Sequence, residues 1–208
     1  MSTGKAEPSA RDRLLAAANE LFYEEGIHTV GIDRVIERAG VAKASLYSTF
    51  GSKEELVRAY LEARAAARRE RILATLARRV DPRGRILAVF DFLAEMAADP
   101  SFRGCAFVNA SAEGPRASAA REVSLRSRAW TRGLFRDLAR ELGAADPDRL
   151  GRRLAILYDG AIVGASMEGD PRTIPEARAM AEALLETAAV APASRRRSAS
   201  PKRSATAR

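Results

Sequence analysis

Apolar residues recur along the chain with the period of an α-helix. Between about Ala10 and Glu25 they form a single stripe, which Gly26 ends. The stripe consists of Leu14, Leu15, Ala18, Leu21 and Phe22. The rest of the chain repeats this pattern between Gly and Pro residues, without the period-two alternation of a half-buried strand. The pattern predicts an all-α fold of about nine helices.

Capping signals predict where several helices begin. Ser52 and Glu55 form an S-x-x-E capping box, so a helix is expected from Lys53. Since nothing interrupts its pattern earlier, we expect that helix to reach about residue 79. Later starts are predicted at Asp81-Pro82, at Asp146-Pro147 and at a second capping box, Thr173 to Glu176.

Residues 32–50 consist of two short amphipathic segments that meet at Gly40, a pattern typical of a helix-turn-helix. In the second segment, Leu46 and Phe50 lie four residues apart and are expected to anchor it to a core. The other residues of this segment are small or polar, as they must be on a helix face that enters the major groove of DNA. The segment is therefore predicted to read DNA.

The stretch GIHTVGIDRVIERAGVAKASLYSTFGSKEEL, residues 26–56, resembles the DNA-binding domain of TetR-type transcriptional regulators. The resemblance lies in the turn at residues 39–41, the Leu46-Tyr47 pair, Phe50 and the SKEEL segment. Residues 104–109, GCAFVN, are similar to a signature at the start of the effector domain in one subgroup of that family. The resemblance implies an N-terminal three-helix DNA-binding domain and a C-terminal helical domain for ligand binding and dimerisation.

On this basis we divide the chain into four regions. We expect a flexible N-terminus over residues 1–9 and a helix-turn-helix domain over 10–56, continued by a linking helix to about residue 79. An effector-binding and dimerisation domain is expected over 57–191. Residues 192–208 have no apolar period to bury and are expected to form a disordered basic tail.

The resemblance also implies a set of DNA contacts. Lys43, Ala44 and Ser45 would face bases, while Tyr47, Thr49 and Lys53 would contact phosphates, which hydroxyls, lysines and helix N-termini commonly bind. The complete set is Gly31, Lys43, Ala44, Ser45, Tyr47, Ser48, Thr49 and Lys53. Two alternatives to these contacts stay open. In one, Tyr47 packs in the core; in the other, Lys43 and Lys53 are solvated surface residues.

Many family members differ from this chain at three of these neighbouring positions. They carry threonine at the place of Gly31, serine or threonine at that of Ala42, and histidine at that of Thr49. At these three positions the chain departs from the family pattern, and of the three only Gly31 and Thr49 belong to the predicted set of contacts.

A small effector is expected among the middle helices, and its apolar surroundings favour a lipophilic or aromatic molecule. The residues expected to line its site are Phe90, Leu93, Met96, Phe107, Asn109, Trp130, Leu134 and Tyr158. The same stripe also fits ordinary core, and Asn109 either orients a ligand or satisfies a backbone group.

The resemblance places the dimer interface on the last two helices, about residues 149–168 and 175–191. Small residues there, Gly160, Gly164 and Ala165, are expected to let another helix approach closely. The predicted interface residues are Ala155, Leu157, Ala161, Ile162, Ala165, Leu184 and Leu185. The homodimer is expected to bind a palindromic double-stranded operator as a repressor that the effector releases.

The net charge of +8 in 208 residues is weak support for DNA binding, because it is unevenly distributed. Residues 1–60 carry eight basic and nine acidic side chains, whereas residues 191–208 carry six basic and none acidic. The arginines between Arg64 and Arg79 are interpreted as a solvated helix face, with weak steering towards DNA as the alternative. The tail either adds nonspecific attraction to phosphates or is inert.

Other functional classes find less support. The first alternative is an all-helical enzyme. The chain lacks the usual nucleotide-binding, zinc-protease and nucleophile-elbow motifs, and His28 is its one histidine that could act as a base. Cys105 and His28 are too few for a zinc site, so we expect no metal and no cofactor. Cys105 is either a small core residue or a redox-sensitive thiol. A nonspecific DNA-compacting protein remains the second alternative.

No apolar run approaches the ~20 residues that a membrane span requires, and the N-terminus lacks the apolar core of a signal peptide. We therefore expect no membrane partner and a cytoplasmic location.

Overall fold

The computed structural model describes residues 7–170 and 172–188 of the chain. Within these ranges it contains nine α-helices and no β-strand, so the predicted all-α class is confirmed. The helices are α1 (Ala10–Glu25), α2 (Ile32–Ala39), α3 (Lys43–Phe50), α4 (Lys53–Leu76), α5 (Pro82–Ala97), α6 (Ala106–Glu113), α7 (Ala119–Glu141), α8 (Pro147–Glu168) and α9 (Thr173–Thr187). The predicted basic tail lies outside the described residues.

Most predicted helix starts are confirmed by their side-chain caps. The Ser52 hydroxyl accepts the Glu55 backbone N–H at 3.1 Å, and Asp81 and Asp146 cap α5 and α8 in the same way. The capping box at Thr173 is wrong, because Thr173 is already the first helical residue. The preceding turn is held instead by the Asp170 carboxylate, which accepts the Arg172 backbone N–H at 2.8 Å.

The linking helix α4 is one turn shorter than predicted. It ends at Leu76, and the chain then tightens, because the N–H groups of Arg78 and Arg79 bond to the carbonyls of Thr75 and Leu76. The 24 residues of α4 span roughly 36 Å at 1.5 Å per residue.

Buried side chains form two cores, and α4 belongs to both. The first half of α4, to Ala65, packs with α1–α3, α6 and the start of α7. Its last turns, from Ile72, pack with α5 and the C-terminal helices. The change from one core to the other therefore falls between Ala65 and Ile72, within α4.

The second core is built around the crossing of α7 and α8. Gly151 of α8 lies so close to α7 that a Cβ there would be 2.7 Å from the backbone N and Cα of Arg136. Beside this crossing the rings of Phe90, Phe135 and Tyr158 pack with centroids 5.8–6.3 Å apart. The α7–α8 crossing is thus closely packed.

In the part of the chain that the structure describes, no helix combines the length and the apolar character needed to cross a bilayer.

Candidate DNA interface and ligand clefts

The turn between α2 and α3 is built around Gly40. Its backbone is left-handed, with φ 62°, and its N–H donates to the carbonyls of Ile36 and Glu37. Val41 N–H also donates to Ile36 O, and the Arg13 guanidinium of α1 donates to Gly40 O at 3.2 Å. These bonds set α3 at a defined angle to α1 and α2.

The helix α3 has one buried anchor and a broad exposed face. Leu46 is fully buried, whereas Tyr47 is 46% exposed. The other predicted contacts on the exposed face are Lys43, Ala44, Ser48 and Thr49, and Ser45 is half-buried beside them. The alternative that Tyr47 packs in the core is therefore wrong, and Leu46 has the anchoring position that its spacing predicted.

The polar side chains of α3 are partly engaged within the chain. Lys43 Nζ lies 2.9 Å from Asp33 Oδ1, and this hydrogen bond raises the pKa of the Lys43 ammonium. The hydroxyls of Ser48 and Thr49 donate to the Ser45 carbonyl at 3.2 and 2.6 Å. Because an exposed ion pair of this kind is weak, DNA can compete for the lysine.

Two predicted contacts lie outside this face. Gly31 is the exposed N-cap residue of α2. Lys53 is half-buried, with its Nζ 6.0 Å from the centre of the Phe22 ring, and burial lowers the pKa of its ammonium although Glu113 opposes the shift. Lys53 therefore lies near the Phe22 ring and the Glu113 carboxylate.

Two clefts open beside the middle of α4. The first cleft, about 270 Å³, lies between α1, α4, α5 and the segment before α6. The second cleft, about 420 Å³, lies between α6, α7 and α8. Arg68, Cys105, Phe107 and Ile162 line both clefts and form the wall between them.

Three of the eight predicted ligand residues line these clefts. Met96 lines the first, Tyr158 the second and Phe107 both. The other five, which line neither cleft, are Phe90, Leu93, Asn109, Trp130 and Leu134. Helical period shows which face of a helix points inward, but ordinary core and the wall of a cleft share that face.

The five residues outside the clefts have identifiable structural contacts. Phe90 and Leu93 are fully buried in the core, and Trp130 and Leu134 pack against it. The Asn109 amide donates to the Arg103 carbonyl at 3.0 Å, so this side chain satisfies a backbone group, as one of the two alternatives held.

The arginines between Arg64 and Arg79 form a solvated face only in part. Arg71, Arg78 and Arg79 are exposed, whereas Arg64 and Arg68 are half-buried. Arg64, Arg68 and Arg71 line the first cleft. Their spacing, i, i+4 and i+7, places them on one side of the helix, but sequence does not show that this side faces a cleft. The lining is therefore less apolar than expected.

Several contacts join the clefts to the helix-turn-helix. The Tyr23 hydroxyl donates to Gly104 O at 3.0 Å and accepts the Arg103 N–H at 2.9 Å, which ties α1 to the segment before α6. At the other end of α6, the Glu113 carboxylate accepts the His28 N–H at 2.9 Å. The short helix α6, which presents Phe107 to both clefts, is thus held at both ends to the region around α1.

The predicted dimer residues lie mostly on the inner face of α8 and α9. Five of them, Ala155, Ala161, Ile162, Ala165 and Leu185, are buried in the chain's own core, and Leu157 and Leu184 pack against it. These residues therefore offer little free surface to a partner. The helix α8 is apolar on two faces, and spacing does not show which one points outward.

The outward face of α8 carries a stripe of its own, formed by Ile156, Gly160, Val163 and Met167. Their apolar side chains are 40–81% exposed, and no described atom lies within 4 Å of a Cβ placed at Gly160. Gly160 therefore faces open space, whereas Gly164 lies against Thr173 of α9.

Comparison with known proteins identifies the family. Residues 14–60 match the model of the family described as "Bacterial regulatory proteins, tetR family". A TetR-family transcriptional regulator from Streptomyces coelicolor is 34% identical, with a TM-score of 0.81 over 86% of this chain and 95% of that one. The reduced form of NemR from Escherichia coli is 26% identical, with a TM-score of 0.75 over 84% of this chain and 95% of that one.

A curated relative extends the comparison to the transcriptional activator FasR of Mycolicibacterium smegmatis. It is 32% identical over 137 residues, which are 64% of this chain and only 60% of FasR. The near-complete overlap with the Streptomyces coelicolor regulator carries the assignment. This chain belongs to the TetR family of transcriptional regulators.

Proposed function

We propose that this chain is a homodimeric repressor that binds a palindromic operator through α3 and is released by a small effector bound in the clefts. The observation that carries the proposal is the exposed face of α3, held outward by the Gly40 turn while Leu46 anchors the helix. Since the matched relatives are named as transcriptional regulators, regulation is favoured over catalysis.

The exposed side chains suit the major groove. The small Ala44 and the long cation of Lys43 are at the start of α3, where a recognition helix meets base edges. Tyr47, one turn later, presents a hydroxyl that can donate to a phosphate. In this division of roles, Lys43 contributes to sequence preference and Tyr47 to position on the duplex.

Dimerisation through the outer stripe of α8 accounts for its exposure. Ile156, Val163 and Met167 recur on one side of the helix with Gly160 between them, which allows a second helix to approach closely. Met180 of α9 is also 58% exposed. A symmetric pair would present two α3 helices to half-sites about 34 Å apart.

Effector binding can reach the DNA-binding helices through α6. A ligand that fills either cleft contacts Phe107, and any shift of α6 is transmitted to the Tyr23 and His28 bonds at its two ends. Release requires that the ligand bind the two states unequally, and a tenfold loss of operator affinity needs about 1.4 kcal/mol of difference.

Selection of bound DNA from random sequence, followed by footprinting, tests the DNA-binding part. We expect a discrete palindromic footprint, and at least tenfold weaker binding after Lys43→Ala or Tyr47→Ala. Arg78→Ala is the matched control for Lys43→Ala, because it also removes one exposed positive charge but lies just beyond the C-terminal end of α4. Equal losses in the two variants, or uniform protection of DNA, would instead support nonspecific binding.

The oligomeric state tests the dimer. Ile156→Glu places a charge in the proposed interface and is expected to give monomers in sedimentation, with half-site binding retained. Leu73→Glu is the control, since Leu73 of α4 is 52% exposed and Ile156 58%. If both variants remain dimeric, the interface lies elsewhere.

A further inference from the structure

Arg68 lies in the wall between the two clefts, and its hydrogen bonds to described residues all go to neutral oxygens. Its guanidinium donates to Ser127 Oγ at 2.8 Å and Thr131 Oγ1 at 3.1 Å, and it lies 4.8 Å from the centre of the Phe107 ring. Its Nε is buried and has no hydrogen-bond partner among the described residues. A half-buried cation without a carboxylate partner is unusual, because neutral oxygens compensate for the desolvation of a positive charge less fully than a carboxylate does.

A second buried donor faces the same place. Tyr158 is 1% exposed and lines the second cleft, and its hydroxyl has no hydrogen-bond partner within the described part of the chain. Burial raises the pKa of Tyr158 to about 12, although the Arg68 charge opposes the shift. The phenol therefore keeps its proton at neutral pH and can donate it to a ligand.

The charges around the clefts favour an anion. Arg64 and Arg71 line the first cleft beside Arg68. Two carboxylates line the clefts, and both are engaged elsewhere. Asp99 accepts the Ser101 N–H and hydroxyl, and Asp159 pairs with Arg128 at 2.6 Å. Neither carboxylate neutralises Arg68.

Much of the remaining lining is apolar. Phe107 and Ile162 line both clefts, and Val108 and Leu125 line the second. We propose that the effector is an amphipathic organic anion, whose carboxylate or phosphate group binds Arg68 and the Tyr158 hydroxyl while its apolar body lies along Phe107 and Ile162. This inference rests on the proposed function in taking the clefts as the effector site.

Arg64, which lines the first cleft together with Arg68, contacts the DNA-binding helix α1. The Arg64 guanidinium of α4 lies 3.9 Å from the centre of the Tyr23 ring of α1. It also donates a hydrogen bond of 3.1 Å to the amide oxygen of Asn19, which is likewise in α1. An anion in the first cleft competes for this guanidinium and so acts directly on α1.

Calorimetry of the full-length protein without DNA tests the inference. The probes are C8 to C12 alkanoates, the matched alkyl phosphates, primary alcohols and alkyltrimethylammonium ions, with 2-naphthoate and 2-naphthalenemethanol as an aromatic pair. We expect an anion to bind at least tenfold more tightly than its matched alcohol, and the cations to bind no better than the alcohols. Comparing alkanoate with alkyl phosphate decides which headgroup the site prefers.

Substitutions of single residues test whether Arg68 and Tyr158 bind the headgroup. Arg68→Gln is expected to weaken anion binding at least tenfold and to change alcohol binding less than twofold. Arg69→Gln is the matched control, because Arg69 is the next arginine of α4, also has a buried Nε without a partner, and lines neither cleft. Tyr158→Phe removes only the hydroxyl, and a threefold or greater loss of anion affinity is expected even if Arg68→Gln does not fold.

Alcohols that bind as tightly as the anions, or an absence of anion binding, would overturn the inference. Equal losses in Arg68→Gln and Arg69→Gln would do so as well. If anions bind but leave operator affinity unchanged, the clefts are an anion site without a regulatory role. If only neutral ligands release the operator, the proposed function stands and the proposal of an anionic effector is refuted.

Discussion

Replacement of Tyr23 by phenylalanine tests the contact between α1 and the segment before α6. The hydroxyl makes two hydrogen bonds there, to Gly104 O at 3.0 Å and from Arg103 N at 2.9 Å. Each bond contributes a net ~0.5–1.5 kcal/mol, so the free energy of unfolding should fall by about 1–3 kcal/mol. The ring remains, and with it the stacking of Arg64 at 3.9 Å.

Urea unfolding followed by circular dichroism measures this change, at one fixed chain concentration because dimerisation would couple to folding. Thermal unfolding offers a second measurement, with a decrease in Tm of roughly 2–4 °C for each kcal/mol in a chain of this size. Both methods should rank the variants in the same order.

Tyr47→Phe is the matched control, since it removes the same hydroxyl from a side chain that is 46% exposed. Its unfolding free energy should stay within ~0.5 kcal/mol of the wild type. If Tyr23→Phe lost no more than Tyr47→Phe, the two bonds would not hold α1 to the segment before α6, and the proposed route from the clefts to α1 would fail with them.

Two further substitutions test the packing and the helix starts by urea unfolding. Gly151→Ala should lower the unfolding free energy by ~1–3 kcal/mol, because the new Cβ meets the Arg136 backbone at 2.7 Å. Gly133→Ala in the open part of α7 should instead be neutral or stabilising by up to ~1 kcal/mol, and similar losses in both variants would argue against a close crossing. Ser52→Ala should cost ~0.5–2 kcal/mol by removing the α4 cap, and an unchanged unfolding midpoint would show that the cap contributes nothing.

The helices and the DNA-binding segment were predictable because their signals are local. A cap such as Ser52, a left-handed Gly40 and the four-residue spacing of Leu46 and Phe50 depend on neighbours within one or two turns. The exposure of Tyr47 follows from the same spacing, since Leu46 takes the inward position. Thr173 was predicted wrongly because Asp170, three residues earlier, holds the turn instead.

Which of two apolar faces points inward was decided only by tertiary structure. Ala161 and Ile162 are as apolar as Ile156 and Val163, yet the first pair is buried in the core and the second is exposed. Both faces satisfy the helical period, and only the packing of α7 and α9 against α8 selects between them.

The surroundings of the α4 arginines were also decided only by tertiary structure. The sequence alone determined that Arg64, Arg68 and Arg71 share one side of a long helix. It did not determine what lies opposite, because Ser127, Thr131 and Tyr158 come from helices 60 to 90 residues further along the chain. Folding brings these groups to Arg68, and across residues 7–170 and 172–188 its positive charge has no carboxylate partner.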